Sequence, residues 1–439
     1  MLDVLRRFGS AIYMGGGLLL VGAAGYVFVA LAGHTLPAAD AAALASLYLM
    51  VNIVGPGVFS ALEQETSRSV SAEAAAGRGP GAVARHAWLL ACGLLAALLV
   101  LLFAVSPVLT DRAFAGQWGL FVAVLVSVVT SASVYVVRGL LGGLQRFGGY
   151  SATLAGEGLA RILPCLLIAS LATPNATAYA LFFASGSAIG ALVGLLWLRP
   201  RAAAPHTGAV AEPAPPVTAR RMARSLSLLV GGTLLMLVVM NVAPVVVTSR
   251  LTGDAATAAA FASAFVLARI PLFLFAPVQA MLLPSLTRAA AAGDLATVRS
   301  KLRLILMAVL AVGLPAVLAS FTIGPWAVQV LFGAEVRLSG VVVGLLGVST
   351  VGLMAALVLQ PGLIALGAHR SVTTTWLVGT VVLAVALVLP GDPVRAGVVA
   401  QLAGAAVVVA LMLRTLSIRL RRGQTGAPPA GAGTTVVTG

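Results

Sequence analysis

The stretch "RPRAAAPHTGAVAEPAPPVTARRMAR", Arg199 to Arg224, is the longest polar interruption in a chain that is otherwise strongly apolar. Its Pro/Ala-rich composition reads as a flexible linker. What lies on either side decides the fold. Of 439 residues, 60% are hydrophobic and only 9% are charged, against about 25% charged in an ordinary globular protein. Six long apolar runs precede the stretch, at 9–32, 41–62, 87–109, 118–141, 151–171 and 176–198. Six follow it, at 226–249, 256–286, 303–322, 339–366, 372–390 and 396–416. A run of roughly 20 such residues crosses a bilayer as a helix. The short alternating segments of a membrane β-barrel are missing from the sequence. The expected fold is therefore an all-α polytopic membrane protein with twelve transmembrane helices. The expected division is an N-lobe at 1–198, a cytoplasmic linker at 199–224, a C-lobe at 225–417 and a disordered cytoplasmic tail at 418–439.

The charges orient the chain. With the N-terminus inside, 20 of the 27 arginines and lysines fall on inner segments. Four fall on outer loops, Arg112, Arg250, Arg337 and Arg395, and three lie within spans. Such a bias places both termini in the cytoplasm. The net charge of +15 then reflects topology and attraction to anionic lipid headgroups. Basic residues scattered over many short segments do not form a nucleic-acid surface. One lysine among so many arginines points to a high-GC bacterial genome, hence a bacterial cytoplasmic membrane. The first run is longer than a signal-peptide core and is read as a retained span.

Metal and cofactor chemistry finds no support. Cys92 and Cys165 sit in separate spans, and His34, His86, His206 and His369 are far apart and in or beside loops. "GGG" at Gly15–Gly17 lacks the ending of a phosphate loop. No outer loop is long enough to build an extracytoplasmic active site, so an enzyme is not expected.

The halves echo each other. "LASLYLMVNIVGP" (44–56) aligns with "FASAFVLARIPLF" (261–273), second helix against second helix. An even number of helices per lobe makes these parallel repeats about a pseudo-two-fold along the membrane normal, a body suited to alternating access. Gly186, Gly190 and Gly194 form a small-residue stripe for close helix approach. Pro56, Pro164, Pro244, Pro271, Pro277, Pro284 and Pro361 interrupt spans, and three of them make the eighth helix the expected bent element.

Three arginines stand inside spans, where a charge is costly and marks function by default. Arg161 lies ten residues past Ser151, about 15 Å deep, and Arg269 is comparably deep. Arg138 is nearer the inner end, where snorkelling to the interface competes with a site role. Glu157 precedes Arg161 by four, so an intrahelical pair competes with a binding role. Asn52 aligns with Arg269 in the repeat. Arg161, Arg269, Arg138, Glu157 and Asn52 are the candidate substrate-binding residues, and their positive excess favours an anion. "EQETSR" at the inner end of the second span supplies Glu63, Glu65 and Arg68. They form either a simple interfacial cap or a gate bridging to the basic loop from Arg288 to Arg303.

On "RGLLGGLQRFGGYSATLAGEGLAR" (138–161), "RIPLFLFAPVQAMLLPSLTRAAAAGDLATVR" (269–299) and "IGPWAVQVLFGAEVRLSG" (323–340), the chain resembles the multidrug/oligosaccharidyl-lipid/polysaccharide exporter superfamily. These stretches are most similar to its polysaccharide-transporter branch. The resemblance implies a flippase for polyprenyl-diphosphate-linked saccharide repeats, with membrane lipids around it and glycosyltransferases or a polymerase as partners. A cation-coupled multidrug antiporter is the alternative, although the first span carries no acidic residue. A non-transporting scaffold for glycosyltransferases is the other, and it has no use for deep arginines in both lobes. The charge bias makes a direct prediction: reporter fusions at residue 210 and at the C-terminus both report cytoplasm. An extracytoplasmic signal at either site removes the twelve-span topology.

Overall fold

The computed structural model describes residues 2–171, 174–199, 217–272 and 292–425, together with Leu282, Leu286, Ala289 and Ala290. Most of the expected linker, Pro277, Pro284, Arg288 and residues 426–439 lie outside this set. Among the described residues the structure is helical throughout, with twelve helices long and apolar enough to cross a membrane. Hydrocarbon cannot hydrogen-bond an exposed backbone, so each apolar run satisfies its own peptide groups by coiling.

The first lobe comprises α1 (Leu2–Thr35), α2 (Ala38–Ala75), α3 (Gly81–Ala113), α4 (Trp118–Gly143), α5 (Phe147–Leu171) and α6 (Ala176–Leu198). The second comprises α7 (Ala219–Arg250), α8 (Ala255–Ala268), α9 (Leu295–Thr322), the short α10 (Gly324–Phe332), α11 (Gly340–Ala365), α12 (His369–Val388) and α13 (Pro393–Thr425). Helices overrun the expected boundaries. α7 begins at Ala219, inside the stretch read as linker, because Thr218 accepts from the Arg221 amide as an N-cap. α13 continues to Thr425, past the expected start of the tail.

Within the first lobe, α1 packs on α5, α2 on α4, and α6 on both α4 and α5. The glycine stripe explains the last contact. A Cβ on Gly190 would lie 3.0 Å from the Thr153 carbonyl oxygen, and one on Gly194 would overlap Val137. Glycine at these positions lets the α6 backbone settle against its neighbours. In the second lobe, α11 packs between α9 and α13, and α12 lies on α13 and α7. Side chains tie loose helix ends there: Arg250 donates to the Leu387 carbonyl at 2.6 Å, covering the end of α12.

The lobes join mainly along α2 and α7. Gly57, just after Pro56, brings the backbones together, so that an added Cβ would sit 3.5 Å from the Leu234 Cα. α2 also packs on α8, and α1 touches α10. Pro56, Pro164, Pro244 and Pro361 are accommodated inside continuous helices. The eighth span behaves differently. α8 stops at Ala268, and Arg269 closes it with a tight bond from its amide to the Val266 carbonyl, 3.0 Å. Pro271, which has no N–H and whose ring crowds the carbonyl four residues back, supplies the reason. The break expected in this span therefore falls on the very residue that carries its charge.

Candidate functional site between the lobes

A cavity of about 280 Å³ lies between α1, α2, α7, α8 and α11. Its polar lining comes from both lobes: Tyr26 from α1, Tyr48 and Asn52 from α2, Asn241 from α7, and Arg269 at the end of α8. No carboxylate lines it among the described residues. Asn52 and Asn241 each bond back to a carbonyl one turn earlier, Tyr48 at 2.8 Å and Leu237 at 3.1 Å. These bonds satisfy part of each amide and fix the side chain against its own helix. The repeat thus has a spatial meaning, because its matched positions Asn52 and Arg269 face the same space.

Arg269 is 6% exposed. Its guanidinium stacks 4.3 Å from the Phe265 ring centroid, and both terminal nitrogens are buried with no hydrogen-bond partner among the described residues. Buried polar groups are ordinarily satisfied, and a buried unpaired charge is the most costly exception. A ring face returns about 0.5–2 kcal/mol, well short of an ion pair with its hydrogen bonds.

The other interior charges are placed differently. Glu157 stands between two arginines: one oxygen takes Arg138 from α4 at 2.5 Å, the other takes Arg161 from its own helix at 2.6 Å. Ser187 of α6 donates to the same carboxylate at 2.7 Å, and Thr153 accepts from Arg138 at 2.9 Å. The intrahelical pair is present, but it is one half of a three-residue bridge. Arg138 does not snorkel. Its side chain is 5% exposed because Glu157 and Thr153 hold it inside the lobe.

Arg161 does not share the cavity with Arg269. It lies 4.4 Å from the Phe183 ring centroid, and Phe183 packs edge-on against Tyr48 of the cavity wall. Of the five proposed binding residues, then, the cavity gathers Asn52 and Arg269. Arg138, Glu157 and Arg161 form a locked cluster behind the aromatic wall.

The gate residues divide too. Glu63 and Glu65 are two apart on α2 and so face opposite ways. Glu63 turns into its own lobe, where the Tyr150 hydroxyl donates to it at 2.7 Å. Glu65 pairs with Arg68 and accepts from Ser69 and, across the lobe boundary, from Ser225 of α7 at 2.7 Å. The cross-lobe partner is therefore the start of α7. Arg288 lies outside the described residues, and no ion pair joins Arg299, Lys301 or Arg303 to this pair among them. Nearby, Glu73 pairs with Arg78 and accepts from the Val217 amide at 2.8 Å, tying the start of the second lobe to the end of α2. The hydrogen bond that Arg78 donates to Glu73 raises its guanidinium above the ordinary value.

Sequence reasoning passed over Tyr26, Tyr48 and Asn241 as cavity residues, and Tyr150, Ser187 and Ser225 as partners. A signal existed for the first group: Tyr48 and Asn52 share a helix face four apart, and Asn241 interrupts an apolar run.

No family model matches the sequence, and no curated protein matches it. Solved structures do. An inward-facing multidrug resistance MATE family transporter of the MOP superfamily superposes with a TM-score of 0.71 at 13% identity, over 95% of this chain and 100% of that one. An outward-facing structure of a transporter so described gives 0.60 at 13%, over 95% and 97%. A eukaryotic MATE transporter gives 0.61 at 14%, over 96% and 99%. At such identities the likeness establishes architecture. The chain is a multi-pass membrane protein with the two-lobed MATE fold.

The contrast between the two charge settings predicts opposite behaviour. Glu157→Gln strands two buried guanidiniums and lowers stability by about 3–5 kcal/mol. Arg269→Met removes a charge that has no carboxylate partner, and leaves the melting temperature in detergent unchanged or higher. Comparable losses from both variants would contradict the reading that Glu157 and its arginines support the fold while Arg269 does not.

Proposed function

We propose that the chain is a membrane exporter working by alternating access, with an anionic, lipid-tailed cargo whose headgroup binds at Arg269. One observation carries the cargo: among the described residues, the guanidinium ends of Arg269 have no hydrogen-bond partner and no carboxylate lines their cavity. A guanidinium fork matches the oxygens of a phosphate or carboxylate in two-pronged fashion. A polyprenyl diphosphate fits this chemistry, with its tail left in lipid and its saccharide in the hydrated cavity. Glycosyltransferases or a polymerase would then be neighbours, the membrane would be the bacterial plasma membrane, and both termini would be cytoplasmic. The higher TM-score on the inward-facing neighbour, 0.71 against 0.60, supports reading this conformation as open to the inner side.

A cation-coupled multidrug antiporter is the second reading, and the comparisons favour it, because two of the solved neighbours are described as multidrug resistance transporters. Glu63 is the residue such a mechanism would use. It is a half-buried carboxylate of the spans that holds a phenol hydrogen bond and no ion pair among the described residues.

Reconstituted vesicles offered a polyprenyl-diphosphate saccharide or ethidium separate the two. On the anion reading Arg269→Ala lowers flipping by roughly ten- to a hundredfold, the worth of charge-assisted hydrogen bonds. Arg269→Lys keeps part of the activity and Glu63→Gln keeps most. Ethidium export that survives Arg269→Ala and fails in Glu63→Gln, with no flipping by the unaltered protein, establishes the antiporter instead.

A further inference from the structure

At the end of the bundle assigned to the outer face, α1 finishes in Gly33-His34-Thr35 and meets α10 of the other lobe. The fit is backbone on backbone. A Cβ on Gly33 would overlap the Phe332 carbonyl oxygen, and Gly333, at φ 63°, abuts the Gly33 carbonyl in return. Beside this contact lies His34. Its Nδ1 is 2.8 Å from the Ala30 carbonyl oxygen, and its Nε2 is 3.2 Å from the Val330 carbonyl oxygen across the lobe boundary.

Both neighbours are carbonyls, which accept and never donate. A neutral imidazole owns one N–H, so it satisfies one carbonyl and turns a lone pair toward the other. The imidazolium donates to both. We propose that His34 is a proton-operated latch on the outer gate: the charged ring holds α1 to α10, and loss of its proton releases them. This inference rests on the alternating-access reading.

The surroundings are consistent with such a latch. α10 itself carries no charged residue. The segment after it brings Arg337 and also Glu335, which lines the same interlobe cleft as Gly33. From α2 comes Asp40, whose carboxylate is held by Gln117 at 2.6 Å. From α6 comes the Tyr179 hydroxyl, 3.1 Å from the Thr35 hydroxyl. Asp254, before α8, is occupied in capping Thr257. His34 is exposed, so its proton exchanges directly with the outer medium.

The sign follows from linkage. The closed gate supplies the second acceptor, so the doubly protonated ring gains a hydrogen bond there that the neutral ring lacks, and closure is the state it favours. Histidine changes charge between about pH 5 and 8, so an acidic exterior resets the protein to its inward-open state.

The test is a spin-label distance between Arg112→Cys in the first lobe and Arg395→Cys in the second, on the full chain in nanodiscs with Cys92 and Cys165 replaced by alanine. Gly33→Ala marks the outer-open distance, because its added methyl excludes the Phe332 carbonyl. The expected result is a closed-to-open ratio that falls about fivefold from pH 5.5 to pH 8, the worth of one hydrogen bond. His34→Gln keeps one donor and loses the pH response, and His34→Arg stays closed throughout. A pH response that persists in His34→Gln, or a ratio in the unaltered protein that ignores pH, overturns the latch. Two distances without pH dependence leave alternating access standing, whereas a single invariant distance removes both.

Discussion

A guanidinium packed among apolar helices has to be answered by something other than water, and the whole arrangement turns on how three of them are answered. Two share a carboxylate. Glu157 takes Arg138 with one oxygen and Arg161 with the other, and the first lobe is built to allow it. Gly186 clears space for the Arg161 stem, and Gly190 brings α6 down onto the Thr153 carbonyl, which sets Ser187 over the same carboxylate. The third, Arg269, has a phenylalanine ring behind it and open cavity in front. A locked charge rigidifies a lobe. One without a partner among the described residues is the group on which the proposed anion site rests.

The two lobes are consequently unlike in spite of their common plan. α11 contains no charged residue, and α12 carries only His369 and Arg370, at its start. Polar pairs such as Trp376 with Gln360 at 2.8 Å, and Gln401 with the Val239 carbonyl at 3.1 Å, hold the second lobe instead. Neutral pairs are weaker than charge-assisted ones. The second lobe also contains the broken span, and the break coincides with Arg269. Charge and turn therefore coincide at one residue.

The spans and the six-and-six division were legible because a bilayer forces long uninterrupted apolar runs, and nothing in a soluble fold imitates twelve of them. The deep arginines were legible for the same reason: they interrupt the pattern. Their partners were not. Arg138 finds Glu157 from a different helix, and its position near a span end left snorkelling and a site role both open. Glu65 finds Ser225 in the other lobe, a contact created by the packing of α2 on α7 and invisible to local spacing. His34 looked like a loop residue because the run it follows loses its apolar character there, yet α1 continues through it to Thr35. Helix ends in this chain follow capping groups, as at Thr218, more closely than hydropathy.

What a rocking motion does to the cavity follows from which lobe supplies each group. Tyr26, Tyr48 and Asn52 belong to the first lobe, and Asn241 and Arg269 belong to the second. A headgroup held by the arginine alone is bound through one charge; held between the lobes, it also gains neutral donors from the other wall. Tilting the lobes apart at one end changes the second contribution and leaves the first intact. A ligand shifts an equilibrium only by its difference in affinity between two states, so a site split in this way is the kind that links binding to the lobes' position. Had Arg161 faced the cavity as well, both walls would hold an anion by charge, and release would require breaking two such contacts. Its sequestration by Glu157 leaves one strong contact and several weak ones, the arrangement that the proposed binding on one side and release on the other requires.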